Sequence, residues 1–455
     1  MGLTISMEIA KGTLLNTQTS IHTTTHNVAN ADNKAYARQR TVQQTNPAYF
    51  THAGWLGMGA RITNVVQDRD VYVEERLMQS ISGDKGYKSL ASHLALAEAA
   101  FPDSGSENIS GDLGKFWSSW DTLIQDTQSL SGQTGVYQAT QNLADSIRTT
   151  YNNLNTLVST SSTVSNNIPT EISDKVGHAN ELLTQIAKIN HDIIASESPR
   201  MTANDLRDTR FQLMNELSEL LPVQFTENPS GGNDITITSG GSTTTLIHDA
   251  TAGSLSYDSA TETLSYSDYT GATGTMSPAT GEIGGLLTAQ DDIENYLSRL
   301  NTFASSLISQ VNTLHNQSGG TPPTTDVFTG SNASDIGANT GFLTGQDPTI
   351  ESDRALDISN LQSSTVTFGD GKTGRLSEYL SDIRKQMGID ADTATDNADF
   401  NETLRGQLEA QQQSVSGVSI DEEMVDLLQL QQIYQAAAKI LQQTSSLLDT
   451  VIKMV

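Results

Sequence analysis

Residues 420–455 read IDEEMVDLLQLQQIYQAAAKILQQTSSLLDTVIKMV. Ile420, Met424, Leu427, Gln431, Tyr434, Ala438, Leu441, Ser445, Leu448, Ile452 and Val455 recur at alternating spacings of four and three, and nine of these eleven are apolar. That is a heptad seam, the pattern of a helix that buries one stripe lengthwise against a partner. With neither Gly nor Pro in the stretch, it predicts a rod of about 54 Å at 1.5 Å per residue. The opposite end carries a matching seam. Leu3, Met7, Ala10, Leu14, Thr17, Ile21, Thr24 and Val28 follow the same spacing, and six of the eight are apolar. Two such seams at the two ends of one chain predict a coiled coil of N- and C-terminal helices.

Inward from these ends the helical pattern continues. Leu113, Phe116, Trp117, Trp120, Leu123 and Ile124 make one apolar face, and Leu143, Ile147, Tyr151, Leu154 and Val158 another. Leu182, Ile186, Ile189 and Ile193 form a third, broken at Pro199; Leu206, Leu213, Leu217 and Leu220 form a fourth, stopped by Pro222. The cleanest seam runs from Leu286 to Leu314 and is interrupted only at Gln290. Leu376, Leu380, Ile383 and Met387, then Phe400, Leu404 and Leu408, complete the set. Long helices with such repeats pack lengthwise into an elongated bundle.

Two stretches break this pattern. Residues 223–281 are rich in Thr, Ser and Gly, alternate as in Asp234-Ile235-Thr236-Ile237-Thr238, and turn at Gly231-Gly232 and Gly240-Gly241. Residues 319–375 open on Gly319-Gly320-Thr321-Pro322-Pro323 and hold one candidate strand, Thr365–Phe368. The expected fold is mainly α with a β insertion, its domains nested and discontinuous. Residues 1–38 and 415–455 form the terminal coiled coil, and 55–222, 282–318 and 376–414 the helical bundle. Residues 223–281 form a small outer β domain, and 319–375 an irregular or β insertion.

Composition narrows the function. The chain has 53 acidic against 25 basic side chains, a net charge of −28, which opposes phosphate binding and argues against a nucleic-acid partner. The deficit lies downstream, because residues 1–80 are nearly neutral. No cysteine is present, so disulfides, thiolate zinc sites and cysteine nucleophiles are excluded. Only 36% of residues are hydrophobic and 5% aromatic, which predicts narrow cores. The start lacks the basic and apolar regions of a signal peptide, and no run reaches the roughly 18 apolar residues of a membrane span. Taken alone, this reads as a cytoplasmic protein with no membrane partner.

No motif supplies catalysis or a cofactor. Gly371-Lys372-Thr373 ends like a phosphate loop, but Val366 stands where the first glycine belongs. Gly57-Met58-Gly59 is followed by Ile62 where a dinucleotide fingerprint needs its third glycine, and Asp390-Ala391-Asp392 lacks the ligand and turn glycine of a calcium loop at Ala394 and Thr395. His22 and His26 share a helix face at a spacing that chelates zinc, but no third ligand and no HExxH glutamate accompanies them. They read as polar residues on the outer side of the first helix. The expectation is no enzyme, no metal and no cofactor.

Three sets of residues carry a resemblance. Ser416-Gly417-Val418-Ser419-Ile420-Asp421-Glu422-Glu423-Met424, with Gln431-Gln432-Ile433-Tyr434-Gln435-Ala436-Ala437-Ala438-Lys439, closely resembles the C-terminal signature of the flagellar rod, hook and hook-associated axial proteins. His26-Asn27-Val28-Ala29-Asn30 and Tyr36-Ala37-Arg38-Gln39 resemble the N-terminal partner motif, although Asp32-Asn33-Lys34-Ala35 replaces the usual Pro-Gly link. Ala203–Arg210 with Asn215-Glu216-Leu217, and Gly281–Leu287 with Asn312-Thr313-Leu314-His315, resemble stretches flanking the β insertion of the hook-associated members.

The resemblance implies a structural component of the bacterial flagellum, secreted as an unfolded chain through the growing organelle and placed at the hook–filament junction. The implied partners are identical subunits in a ring, hook protein, a filament-side hook-associated protein and an export chaperone on the C-terminal segment. The residues expected at subunit contacts are Leu3, Met7, Leu14, Ile21, Val28, Met424, Leu427, Leu430, Tyr434, Ala437, Leu441, Leu448, Val451 and Val455. Among them Leu427, Tyr434, Leu441 and Leu448 are expected to face the N-terminal helix, and Leu430, Ala437 and Val451 to face neighbouring subunits. The alternatives are another axial protein, such as hook or distal rod protein, and a secreted adhesin acting through the β insertion.

Overall fold

The computed structural model describes residues 2–51, 54–102, 108–160, 167–198, 201–316, 326–343 and 350–454. Pro199, Gly319–Pro323 and Val455, all named above, lie outside them. Helix α1 (Gly2–Ala29) leads into β1 (Gln39–Thr45), β2 (Tyr49–Thr51), β3 (Gly54–Leu56) and β4 (Ala60–Gln67). Strands β1 and β4 pair antiparallel from Gln39–Gln67 to Thr45–Ala60, and β2 with β3 forms the tip of the same ribbon. The ribbon occupies residues 39–54, which none of the expected domains includes, and the start of the segment expected in the bundle. Its polar Arg-Thr-Val-Gln-Gln-Thr strand is half-exposed, so it lacks the apolar alternation by which a strand is recognised.

Five helices follow: α2 (Val71–Ala100), α3 (Ile109–Leu123), α4 (Leu130–Val158), α5 (Ile168–Ser196) and α6 (Asn204–Leu220). Asp70, Asn108, Ser129 and Asn167 cap the first four, each accepting from backbone N–H groups of the first turn. Pro222 stands two residues after the end of α6, just past its C-cap Leu221. The insertion consists of β5 (Val223–Glu227), β6 (Asn233–Ser239), β7 (Ser242–His248), β8 (Thr251–Ala252), β9 (Ser254–Asp258), β10 (Thr263–Ser267) and β11 (Thr273–Thr275), in one sheet of four strands and one of three. It does not stand apart. Ile235, Ile237, Leu246, Leu255 and Leu264 join the same apolar core as the helices, so the insertion is an outer layer laid on α5.

Helix α7 (Gly281–Asn316) returns into the bundle and is followed by β12 (Phe328–Thr329), β13 (Gly337–Ala338), a 3-10 turn at Thr340–Leu343, α8 (Ser352–Asn360), β14 (Val366–Thr367) and β15 (Thr373–Gly374). The helix α8 stands in a segment read above as irregular or β. Its nine residues bury only Ala355 and Ile358 among apolar side chains, too few to show a period. Helix α9 (Leu376–Ser416) joins both halves of the pattern assigned to residues 376–408 into one rod, and α10 (Ile420–Met454) closes the chain.

The axis of the bundle is α2, packed on α9 and α7. Beside Val73, Leu77, Met78 and Ile81 it buries a run of small and polar residues, Ser80, Ser82, Gly83, Asp84 and Gly86. Small residues let the helices touch backbone to backbone. A Cβ on Gly285 would fall inside the contact radius of the Gly86 carbonyl oxygen, and one on Gly86 would come within 2.9 Å of the Gly281 backbone. Gly281 has φ +80° and abuts the Leu220 carbonyl, so it needs glycine for both reasons. Close by, Asp84 is wholly buried and takes ion pairs from Lys88 at 2.9 Å and from Arg405 of α9.

Gly285→Ala should therefore force α7 off α2. Overpacking of this kind costs about 1–3 kcal/mol, an expected fall in Tm of roughly 2–8 °C. Thermal unfolding of the variant against the parent checks it; an unchanged Tm would show that the two backbones are not in contact.

Candidate functional site

The three motifs that lie far apart in sequence meet at one buried polar node. Asn27, at the end of α1, is 2% exposed and Glu423, in the first turn of α10, is 1% exposed. The Asn27 amide donates to Glu423 Oε2 at 3.1 Å and to the Gln39 carbonyl at 2.9 Å, while Asn27 Oδ1 accepts from Gln39 N–H and from the Tyr36 hydroxyl at 2.7 Å. Arg38 Nε donates to Glu423 Oε1 at 2.6 Å, and the Arg38 backbone N–H donates to the Ser416 carbonyl at 2.8 Å. Every hydrogen-bonding atom of the Asn27 amide and both Glu423 oxygens thus have a partner, which is the condition for burying them at all.

The node continues into the bundle through α6. Asp208 accepts from the Ala37 N–H at 3.2 Å, from Gln67 at 2.8 Å and from Arg69 at 2.5 Å, and Arg69 also pairs with Glu74 at 2.6 Å while lying over the Phe211 ring. Burial pushes the Glu74 and Asp208 carboxyls above their ordinary range even with Arg69 beside them. Burial, with Asp208, Asp205 and Glu423 nearby, also raises Tyr36, so its hydroxyl stays a donor. Burial disfavours the Arg38 charge, but the Glu423 hydrogen bond and charge outweigh it and raise its pKa. The chemistry is that of a clamp fixing both termini to one point.

From the Asn27–Glu423 pair the two terminal helices run antiparallel, and among the described residues α1 is the element against which α10 packs extensively. The contact stripe of α10 is Glu423, Leu427, Leu430, Ala437, Leu441, Thr444 and Leu448, all buried or half-buried. This corrects the expected division of faces. Leu427, Leu441 and Leu448 do lie on it, but so do Leu430 and Ala437, which had been assigned to neighbouring subunits; Ala437 is only 4% exposed. Tyr434, expected inside, is 41% exposed, and Met424 and Val451 are open to solvent. Two polar residues of the true stripe, Glu423 at its start and Thr444 within it, make the neighbouring register look more apolar than the real one.

On α1 the fully buried side chains are small or polar, and the large apolar ones are only half-buried or exposed. Ala10, Thr17, Ser20, Thr24 and Asn27 are buried, Leu3, Leu14, Ile21 and Val28 are half-buried, and Met7 is exposed. The second face of α1 holds the ribbon through Asn16, which donates to the Ala60 carbonyl at 2.6 Å and accepts from Ile62 N–H, and through Ser20 with Thr41. His26 is not on the outer side, because its Nδ1 lies 3.0 Å from the Tyr36 hydroxyl and its Nε2 3.9 Å from Asp205. His22 and His26 line an open cleft of about 700 Å³ beside Asn204 and Asp205. No group of three His, Cys, Asp or Glu side chains among the described residues is placed to hold a metal.

Residues 94–326, just over half of the chain, match the model of the flagellar hook-associated protein FlgK helical domain. The chain belongs to this family. Residues 410–454 separately match the flagellar basal body rod FlgEFG protein C-terminal model, so the family match runs from the end of α2 through α7 and the second match takes in the end of α9 and α10. Flagellar hook-associated protein 1 of Bacillus subtilis (strain 168) is 24% identical across 98% of this chain and 97% of that protein. The Escherichia coli (strain K12) protein of the same name is 21% identical across 96% and 97% respectively. The solved structure of the flagellar hook junction protein FlgK from Burkholderia pseudomallei gives a TM-score of 0.48 at 19% identity, over 56% of this chain and 46% of that one. Among the described residues no helix is long and apolar enough to cross a membrane.

The node generates a prediction. Glu423→Ala would leave one N–H of the buried Asn27 amide unmatched and leave the half-buried Arg38 with only Asp426 at 3.7 Å, a cost on the order of 2–4 kcal/mol borne by the terminal pair. Hydrogen exchange should show α1 and α10 losing protection while α4 and α7 keep theirs. Unchanged protection of α10 would mean that Glu423 does not hold it.

Proposed function

We propose that the chain is a structural subunit at the junction of flagellar hook and filament, assembling with its own copies through the α1–α10 pair after export as an unfolded chain. Membership of the hook-associated family supports this reading, and the open flank of α10 carries it at the level of residues. Ile433, Ile440 and Leu447 recur every seven residues beside the intrachain stripe and are 42–55% exposed. A heptad-spaced apolar row with nothing over it is the form of a helix that packs on more than one partner.

Magnitudes agree. The intrachain stripe buries mostly Ala, Thr and Ser from α1, and each contributes far less than the 1.5–3 kcal/mol or so of a buried Leu or Ile. Ordering the backbone costs about 1–2 kcal/mol per residue. The pair therefore gains most of its stability when neighbours cover Ile433, Ile440 and Leu447. On this reading hook protein and a filament-side hook-associated protein meet the two ends of the ring. A chaperone covers the C-terminal segment before export, since the same open row invites aggregation.

Ile440→Asp tests the assignment without touching the intrachain stripe. The purified variant should keep the parent Tm, yet its amount in isolated flagella, measured by immunoblot, should fall at least tenfold. Leu441→Asp should lose both. Normal incorporation of the Ile440 variant would refute the open row as an assembly surface.

A further inference from the structure

Gln290 interrupts the apolar seam of α7, and the clamp on the two termini makes no use of it. Its side chain is 1% exposed. Gln290 Oε1 accepts from the Tyr257 hydroxyl of β9 at 2.9 Å, and its Nε2 donates to Glu294 Oε1, one turn further along α7, at 3.3 Å. The Glu294 carboxyl lies within hydrogen-bonding reach of the carboxyl of Glu262, the last residue of the turn between β9 and β10. Glu262 has φ +54°, a left-handed backbone that glycine or asparagine adopts with less strain. Two carboxyls bond to each other only when one of them carries a proton.

We propose that a proton shared by Glu262 and Glu294 latches the β9–β10 hairpin onto α7, so that the three-stranded outer sheet of the insertion docks more firmly in acid than in alkali. At the far end of the hairpin Asn180 of α5 accepts from the Leu255 N–H at 2.7 Å and donates to the Leu255 carbonyl at 2.8 Å. Neither group titrates, so the sheet loosens at its turn without detaching. The surroundings favour the proton. The charges acting most strongly on Glu294 are both acidic, Glu262 and Asp291, and beside them Asp292 faces Asp390 of α9. Asp390 accepts from the Tyr296 hydroxyl at 2.7 Å and from Gln386 at 2.8 Å, while Asp258 of β9 accepts from the Ala260 N–H of its own turn. Burial lifts the Tyr257 hydroxyl to about 12, so it stays a donor to Gln290. Burial, with the Glu262 hydrogen bond, pushes the Glu294 carboxyl up to about 7. The docked hairpin thus keeps a proton that a loosened one gives up near the ordinary glutamate value. Its advantage is whole in acid and is lost as pH rises through about 7.

Hydrogen exchange on the purified full chain at about pH 5 and about pH 9, corrected for the intrinsic rate, tests the latch. Protection in β9 and β10 is compared with that of α4 in the same samples. The hairpin should lose roughly tenfold more protection than α4 on going to the higher pH, one pKa unit being a factor of ten. In Glu294→Gln the amide donates to Glu262 and accepts from Gln290 at either pH, so the hairpin should follow α4 throughout. A parent hairpin whose protection changes no more than that of α4 would overturn the latch. So would a Glu294→Gln chain that keeps the parent's pH dependence, since the titrating group would then lie elsewhere, as at Asp292. If Glu294→Gln lowers the Tm, Glu262→Gln on the exposed turn takes its place and is read by the same two outcomes.

Discussion

One buried carboxylate holds the two ends of this chain together. Glu423 sits in the first turn of α10 with Arg38 on one oxygen and Asn27 on the other, and neither helix end could be dry without it. An unpaired charge at 1% exposure would be prohibitive, so α10 docks only where both donors are already in place. The donors are themselves placed by Tyr36 and Gln39, and the loop between them by Asp208 and Arg69 of the bundle. Residues nearly 400 positions apart are thereby forced into one register.

Much of this was legible in the sequence, and the failures have physical causes. The long helices, the β insertion and the pairing of the ends follow from periodicities that water imposes on any chain. The register of α10 did not, because counting apolar residues treats Glu423 as an outsider to the seam when it is the residue that fixes it. The axial helix α2 was likewise faint. It packs through Gly83, Gly86 and Ser82 on several sides at once, and small residues leave no amphipathic trace. The ribbon was missed because a half-exposed strand of Gln and Thr has no apolar face to read.

Those faint elements give the molecule its character. The bundle is closed by backbone contact at Gly86 and Gly285, by one large apolar core and by a small separate cluster of Leu77, Ile81 and Leu408, so it is complete in a single copy. The terminal pair is not. It is clamped firmly at one point by polar groups, is thinly packed along its length, and leaves apolar rows on α10 and on the ribbon tip facing water. A rigid body carrying an incomplete pair suits a subunit that finishes its folding against its neighbours.

Electron microscopy of cells lacking this gene, with flagellin assayed in the medium, tests the central claim most directly. The account predicts complete hooks without filaments and flagellin lost to the medium. Missing hooks, or intact working flagella, would contradict it.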